Sequence, residues 1–404
     1  MTGTSRWPVI TVIGVTQIFA WGSSYYLPAV LAGPIAKDTG WSLTAVVAGL
    51  SIGLLIAGLV SPLVGRLIAS KGGQPILAGS ALLIATGQIA LAAANIFPVY
   101  VAAWVILGLG MGAGLYDPAF ATLGRLYGRS ARSAITSVTL FGGFASTICW
   151  PLTAYLEAHW GWRVTCLVYA ALQLGGALPI YLLGLPRPGA AGIAESAVAT
   201  EAAAGVSDAS NDPGAMLFIL IATVITLSSI ISATLSVHLL TILQDRGISL
   251  ADAVTFGMLV GPAQVVARSV EMAIARYHHA IWTKLVSTTS VALGIAALLG
   301  GSTVLPFALF LYGAGIGLES IARGTVPLAV YGQERYPLIM GRIAMPSLIA
   351  QALAPSAAAL LLNVGGAGFV LWAFLGIAAI NLLLVVCLFA RLKHSLSAEP
   401  SDPR

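Results

Sequence analysis

Residues 42–69 read SLTAVVAGLSIGLLIAGLVSPLVGRLIA, and Arg66 is the only charged residue among them. A helix rises about 1.5 Å per residue, so about 20 apolar residues cross a hydrocarbon core of about 30 Å. Similar runs recur along the whole chain, in which 58% of the residues are hydrophobic and 8% are charged. This layout predicts an all-α, polytopic membrane protein without a sizeable soluble domain.

Twelve spans are expected, six on each side of a polar central segment. The predicted boundaries are 8–32, 42–69, 76–95, 98–124, 133–157 and 164–185, then 214–242, 252–276, 282–300, 304–330, 338–363 and 367–390. Residues 186–213 are rich in Ala, Gly and Ser, with four acidic residues, which is typical of a flexible linker. The expected domains are therefore bundles at 1–185 and 214–404, joined by the linker 186–213.

Lysine and arginine set the expected orientation, because cytoplasmic loops carry an excess of them. With the N-terminus inside, the outside loops hold only Lys37, Arg163 and Arg246. The inside segments hold Arg6, Arg66, Lys71, Arg125, Arg129, Arg132, Arg187, Arg276, Lys284, Arg335, Arg342, Arg391, Lys393 and Arg404. The prediction is a plasma (inner) membrane protein with both termini and the linker in the cytoplasm.

Several classes of function are disfavoured by the same composition. The pI of about 9.2 is explained by the orientation signal rather than by nucleic-acid binding. No phosphate-binding loop or metal-spaced His/Cys cluster is found, so neither an enzyme nor a cofactor or metal site is expected. The expected partners are the lipid bilayer, a small-molecule substrate and a proton, and the expected state is a monomer.

Two short stretches indicate an internal repeat: GMGAGL at 110–115 and GAGIGL at 313–318, each in the fourth span of its half. The alternative is that glycine-rich membrane helices look alike, since small residues let helices pack closely.

These features resemble the major facilitator superfamily. The six-plus-six pattern, the stretch GLVSPLVGRLIASKG at 58–72 and the outer-loop Gly161-Trp-Arg163 carry the likeness, although the family's usual Asp near Ala69 is missing. The family's antiporters often carry an Arg in the fourth span, where this chain has Trp104. The resemblance implies two six-helix bundles around a central cavity and transport by alternating access.

The eighth span supplies the main candidate for substrate binding. Gln264, Arg268 and Glu271 share one helical face. Here the chain resembles the monocarboxylate and oxalate branches of the family, whose eighth-helix Arg holds the substrate carboxylate. The alternative is that Arg268 pairs with Glu271 or Glu319 to hold two helices together.

The tenth span places Tyr312, Glu319 and Arg323 on one face. A carboxyl at membrane depth can carry a proton during transport, which makes Glu319 a candidate coupling group with Arg323 and Glu271 beside it. The alternative is a permanent ion pair between Glu319 and Arg323. Tyr312 is a candidate substrate contact.

In the first half, aromatic and amide side chains form one predicted wall for an amphiphilic solute, or else simply fill helix packing. Its members are Gln17, Trp21, Ser24, Tyr25 and Pro28 of the first span. Tyr116 of the fourth span is a further candidate substrate contact. Asp117 is either a second proton site or a cytoplasmic gate with Arg125 or Arg129.

Together these residues predict a secondary active transporter of a small organic anion such as a monocarboxylate. Efflux of drug-like or toxic compounds is the alternative, and a purely structural membrane protein comes third.

Overall fold

A computed structural model of the chain describes residues 6–187 and 213–398. Every regular element in these two stretches is helical, which confirms the all-α prediction. Membranes favour this outcome, because a helix satisfies its own backbone hydrogen bonds where no water is available. The predicted linker lies almost entirely outside the described residues, as do both ends of the chain.

The elements are numbered in chain order. In the first half they are α1 (Trp7–Gly22), α2 (Pro28–Thr39), α3 (Leu43–Lys71), α4 (Gly73–Ala92), α5 (Phe97–Gly114), α6 (Tyr116–Tyr127), α7 (Ala131–Gly143), α8 (Ala145–Leu172) and α9 (Leu178–Gly184). In the second half they are α10 (Pro213–Asp245), α11 (Leu250–Gly257), α12 (Val260–Ile274), α13 (Ala280–Leu298) and α14 (Leu305–Ala398).

Eight helical stretches of the described chain are long and apolar enough to cross a membrane. Two of them, Ala131–Gly184 and Leu305–Leu392, exceed the length of one crossing. Gly161, Gly332 and Gly366 divide these stretches, with φ of 77°, 70° and 66°, values that only glycine adopts at little cost. The divisions fall in the predicted loops, and with the shorter apolar helix α1 the result is consistent with twelve spans.

The described residues pack as two compact units. Unit 1 holds residues 6–187 and 330–352, and unit 2 holds residues 213–329 and 353–398. Residues 330–352 were expected in the second bundle, yet they pack with the first; Tyr336, for example, fills the space beside Gly124. The division into bundles at 1–185 and 214–404 stays a prediction.

The glycine-rich helix of unit 1 packs closely on α3. A Cβ on Gly108 would lie 2.5 Å from the carbonyl oxygen of Gly53, and one on Gly112 would lie 2.9 Å from that of Ala57. No side chain fits at either contact, so the backbones of α5 and α3 touch directly.

The glycine-rich helix of unit 2 repeats this contact on α12. A Cβ on Gly313 would lie 2.7 Å from the carbonyl oxygen of Val260, and one on Gly317 would lie 2.8 Å from the Cα of Gln264. The spacing of four residues on both helices is the same as in unit 1. The repeat is therefore present, but its predicted register was wrong by two residues: Gly112, rather than Gly114, corresponds to Gly317.

Candidate functional site

The most deeply buried charge of unit 2 is Lys284, one turn into α13. Its side chain is 2% exposed, and its Nζ lies 2.6 and 2.5 Å from the two carboxylate oxygens of Glu319 on α14. An ion pair out of water is costly unless its remaining donors and acceptors are also satisfied. The surrounding polar groups therefore matter as much as the pair itself.

Three neutral side chains complete this pair. Lys284 Nζ also donates to Ser228 Oγ on α10 at 2.9 Å, and Asn381 Nδ2 donates to the same oxygen at 2.8 Å. Ser287 Oγ lies 3.0 Å from Glu319 Oε2 and 2.8 Å from the carbonyl oxygen of Gly315. The network joins α10, α13 and two separate parts of α14, so it fixes four helical segments to one another.

This arrangement corrects one prediction and bears on another. Lys284 was assigned to an inside segment as an orientation charge, but it belongs to a buried ion pair. For Glu319 the sequence left open a proton-coupling role or an ion pair with Arg323; in the structure Glu319 forms an ion pair with Lys284, and Arg323 donates to Ser229 Oγ at 3.3 Å. Lys284 lies at the edge of an apolar run, where sequence does not distinguish a loop charge from a buried one.

Arg268 on α12 is 5% exposed and is oriented by two neutral oxygens. Its Nε donates to the carbonyl oxygen of Gly317 at 3.3 Å, and its Nη2 donates to Gln264 Oε1 at 3.1 Å. The second contact follows from the i, i+4 spacing that sequence showed, and the first depends on the close approach of α14 at Gly317. The guanidinium plane is thus held from two directions.

Glu271, one turn beyond Arg268, has partners of its own. Its Oε1 accepts a hydrogen bond from Thr283 Oγ1 at 2.8 Å, and its Oε2 lies 3.4 Å from His278 Nε2. His278, in the loop after α12, is therefore in contact with a buried carboxylate. The two carboxylates proposed as partners for Arg268 therefore each lie against another basic side chain.

The charges within the described spans of unit 2 do not balance. Apart from Asp245, Asp252, Arg276 and Arg391 at the ends of the spans, three are cationic and two are carboxylates: Arg268, Lys284 and Arg323 against Glu271 and Glu319. Charges inside a membrane are expensive and are usually compensated. The formal excess of one positive charge is suited to a bound monoanion.

Unit 1 places Tyr116 of α6 beside three side chains of the predicted wall, Gln17, Trp21 and Tyr25. Gln17 Nε2 donates to the carbonyl oxygen of Gly114 at 2.6 Å, and Trp21 Nε1 donates to Gln17 Oε1 at 3.0 Å. The Trp21 ring centroid lies 5.1 Å from that of Tyr25 and 4.9 Å from that of Tyr116. Gln17 thus fixes the indole around which the two tyrosines are grouped.

Asp117 and Tyr312 are the remaining candidates. Asp117 lines a small cavity of unit 1 with Gly65 and Gly341. Of its predicted gate partners, Arg125 donates to the carbonyl oxygen of Ile68 at 2.9 Å, and the side chain of Arg129 is outside those described. Tyr312 is buried in the apolar core of unit 2, so here it contributes packing.

No group of three or more His, Cys, Asp or Glu side chains in the described part of the chain is placed to hold a metal ion. The chemistry available to these sites is charge pairing, hydrogen bonding and proton binding.

Comparison with known proteins supports a common ancestry over most of the chain. Residues 13–318 match the sequence profile described as "Major Facilitator Superfamily". The curated relatives include monocarboxylate transporter 14 of Homo sapiens and of Mus musculus, each 33% identical over 136 residues. That match covers 33% of this chain and about a quarter of either relative's length.

Solved structures show the same fold at low sequence identity. The human organic anion transporter MFSD10 (TETRAN) aligns with a TM-score of 0.74 at 18% identity, over 95% of this chain and 100% of that one. The proton:xylose symporter XylE, bound to 6-bromo-6-deoxy-D-glucose, aligns with a TM-score of 0.70 at 12% identity, over 93% and 94% of the two chains.

Proposed function

The chain belongs to the major facilitator superfamily, and from this premise we propose that it carries a small organic monoanion, of the monocarboxylate class, across the plasma (inner) membrane. Arg268 is the observation that carries the proposal. It is a buried cation within a span, oriented by Gln264 and by the backbone of Gly317. In a family whose members move small solutes by alternating access, a cation so placed is suited to bind an anionic one.

The chemistry of arginine favours a carboxylate as its ligand. The planar guanidinium donates two parallel hydrogen bonds to a carboxylate, and it keeps its charge at any physiological pH. The excess positive charge within the spans of unit 2 adds an electrostatic reason for a monoanion rather than a neutral solute. The names of monocarboxylate transporter 14 and of the organic anion transporter MFSD10 are consistent with this class.

Orientation is part of the proposal. Both termini and residues 186–213 are placed in the cytoplasm on the strength of the Lys and Arg asymmetry, which persists when Lys284 is removed from it.

Transport by purified protein in proteoliposomes tests the substrate class, with radiolabelled lactate and benzoate as probes. Arg268→Lys keeps the charge but loses the two-pronged geometry, so it should weaken apparent affinity by roughly 10–100-fold, the equivalent of about 1.5–3 kcal/mol. Arg276→Lys, at an exposed position beyond the end of α12, is the matched control and should change nothing.

Unchanged anion transport by Arg268→Ala would overturn the proposal. If the wild-type protein transports neither lactate nor benzoate but exports cationic amphiphiles, the efflux of drug-like compounds would be supported instead.

A further inference from the structure

The first predicted span, 8–32, is not one continuous helix. Helix α1 ends at Gly22 and α2 begins at Pro28, so residues 23–27 interrupt it. The two pieces have 16 and 12 residues and reach about 24 Å and about 18 Å, so neither alone crosses a core of about 30 Å. The interruption therefore lies within the membrane crossing. At such a depth, irregular backbone is tolerated only where it is buried in protein or lines a cavity.

Hydrogen bonds across the interruption close a turn that is wider than a helical one. The backbone N–H of Tyr26 donates to the carbonyl oxygen of Trp21, five residues earlier, at 3.0 Å, whereas an α-helix joins residues four apart. A regular helix would place Tyr25 over Trp21 and turn Tyr26 away. In the wider turn both tyrosine rings lie against the indole, with the centroid of Tyr26 at 5.8 Å.

Two buried glutamines from other helical segments hold this turn. Gln173 Nε2 donates to Ser23 Oγ at 2.8 Å, and Gln88 Nε2 donates to the carbonyl oxygen of Ser23. Gln173 also begins a second wide turn, the π-helical segment Gln173–Ala177, and turns of this kind are frequent at functional sites. Gln88 Oε1 is buried without a hydrogen-bond partner among the described residues, which is uncommon for a polar atom. The turn is thus a built feature and not a frayed helix end.

The turn gathers five aromatic side chains, which we call the ring cluster: Trp21, Tyr25, Tyr26, Tyr116 of α6 and Trp150 of α8. The centroid of Tyr116 lies 4.9 Å from that of Trp21, and the centroid of Trp150 lies 5.9 Å from that of Tyr26. Trp150 is 45% exposed, and the other four are half-buried.

Exposure separates the ring cluster from the aromatic core of the same unit. The core side chains that are at most 1% exposed include Tyr100, Trp104, Tyr169 and Tyr181. Those rings are covered on all sides by protein and contribute packing. The ring cluster leaves part of its aromatic surface uncovered and can contact a further flat group.

We propose that the ring cluster binds the apolar part of the transported anion and that the preferred substrate is an aromatic carboxylate. Aromatic rings pack edge to face or offset at centroid distances of about 4.5–7 Å, and this geometry stabilises the contact beyond the burial of area alone. The cluster consists of Trp and Tyr side chains only, so it is suited to the ring of such an acid and not to its carboxylate. Gln173 and Gln88 are positioning residues that act through the turn. The inference rests on the proposed function, because it narrows the class of the monoanion.

Two acids of the same charge and similar size test recognition of the ring. In proteoliposomes, the apparent KM of benzoate should be roughly 3–10-fold lower than that of cyclohexanecarboxylate, because only benzoate has a flat aromatic face. Tyr26→Leu should reduce this ratio, and Tyr26→Phe should keep it, since phenylalanine retains the ring. Tyr155→Leu, at an exposed aromatic position of α8 outside the ring cluster, is the matched control and should keep the wild-type ratio.

Gln173→Leu tests the positioning role. Without its hydrogen bond to Ser23, the turn should relax toward a regular helix, which moves Tyr26 away from Trp21. We expect the ratio of the two KM values to fall toward one while transport of cyclohexanecarboxylate persists. A merely structural role would weaken both acids alike. If Gln173→Leu does not fold, the pair Tyr26→Leu and Tyr26→Phe decides the matter, because both variants keep the two glutamines.

Equal KM values of wild type for the two ring acids would overturn the inference, as would an unchanged ratio in Tyr26→Leu. If lactate is transported in either case, the proposed function still stands. If lactate, benzoate and cyclohexanecarboxylate are all refused, the proposed function fails and the inference fails with it. Arg268→Lys separates the two claims, because it should weaken both ring acids alike and leave their ratio unchanged.

Discussion

The two units share the same close contacts between helices, but the side chains beside these contacts differ. With Gly112 aligned to Gly317, the position of Arg268 is taken in unit 1 by Ser61. Ser61 Oγ binds the carbonyl oxygen four residues earlier at 2.6 Å, whereas Arg268 binds the side chain four residues earlier. The contact site is the same, but only unit 2 uses it to hold a charge.

The alignment of Gly112 with Gly317 can be extended to the positions of the ion pair. Gly110 packs on Ile84, and Gly315 packs on Val291, which aligns α4 with α13. The positions of Lys284, Ser287 and Glu319 then correspond to Leu77, Ser80 and Gly114. The serine is kept, while the ion pair is replaced by a leucine and a glycine. Unit 1 is therefore held by packing at the place where unit 2 depends on charge.

Loss of Lys284 should have the largest effect on stability. Lys284→Met leaves Glu319, whose side chain is only 14% exposed, without its ion-pair partner, and we expect it to lower the free energy of unfolding by about 3–5 kcal/mol. Thermal unfolding in detergent measures this loss. Leu77→Met, the matched change in unit 1, should cost less than about 1.5 kcal/mol, because it conserves volume and hydrophobicity.

Lys284→Met combined with Glu319→Met should recover most of the lost stability, since it removes both charges. Equal losses for Lys284→Met and Leu77→Met would contradict the contrast between the units.

Substitutions at the glycine contacts between helices should have an intermediate effect on stability. Gly112→Ala and Gly317→Ala each push a Cβ into a facing backbone, and overpacking of this kind costs about 1–3 kcal/mol. Both variants should lose stability to a similar degree. Only Gly317→Ala should also weaken anion binding, because the helix that it displaces carries Gln264 and Arg268.

Gly79→Ala and Gly376→Ala serve as controls, one in each unit, since an added Cβ at either position meets nothing within 4 Å. Equal loss of lactate affinity in Gly112→Ala and Gly317→Ala would show that the anion site depends on general packing rather than on the α12 contact.

Local patterns were predictable from sequence, and contacts between distant segments were not. The apolar runs predicted the spans. Gly161, Gly332 and Gly366, which have a positive φ, lie in the loops between predicted spans. The i, i+4 spacing placed Gln264 with Arg268, and Gln17 with Trp21, on shared helical faces, and a hydrogen bond joins each pair in the structure. In each case the geometry of a single helix decides the outcome.

The missed features depend on how one helix faces another. Lys284 and Glu319 are 35 residues apart, and no periodicity within either helix reveals that they meet. The register of the repeat was missed for the same reason: alternate glycines look equivalent in sequence, and only the facing helix shows which of them touches it. Roles in substrate and proton binding stay predictions at every candidate residue.

The smallest effect should come from the exposed ion pair of unit 1, which contrasts with the buried pair of unit 2. Asp38 accepts hydrogen bonds from Arg163 and from Trp162 Nε1, and its side chain and that of Arg163 are 49% and 37% exposed. The hydrogen bond from Arg163, reinforced by that from Trp162, holds the pKa of Asp38 below its usual value of 3.8.

A carboxyl with a lowered pKa stabilises the fold above its unfolded pKa, and this contribution is lost as the pH falls through the folded pKa. Asp38→Asn should therefore lower Tm slightly at neutral pH and not at all in strong acid. Because exposed pairs are weak and screened by salt, the difference should shrink further at high ionic strength. A salt-insensitive loss as large as that of Lys284→Met would mean that the region of unit 1 around Asp38 depends on charge as much as the spans of unit 2 do.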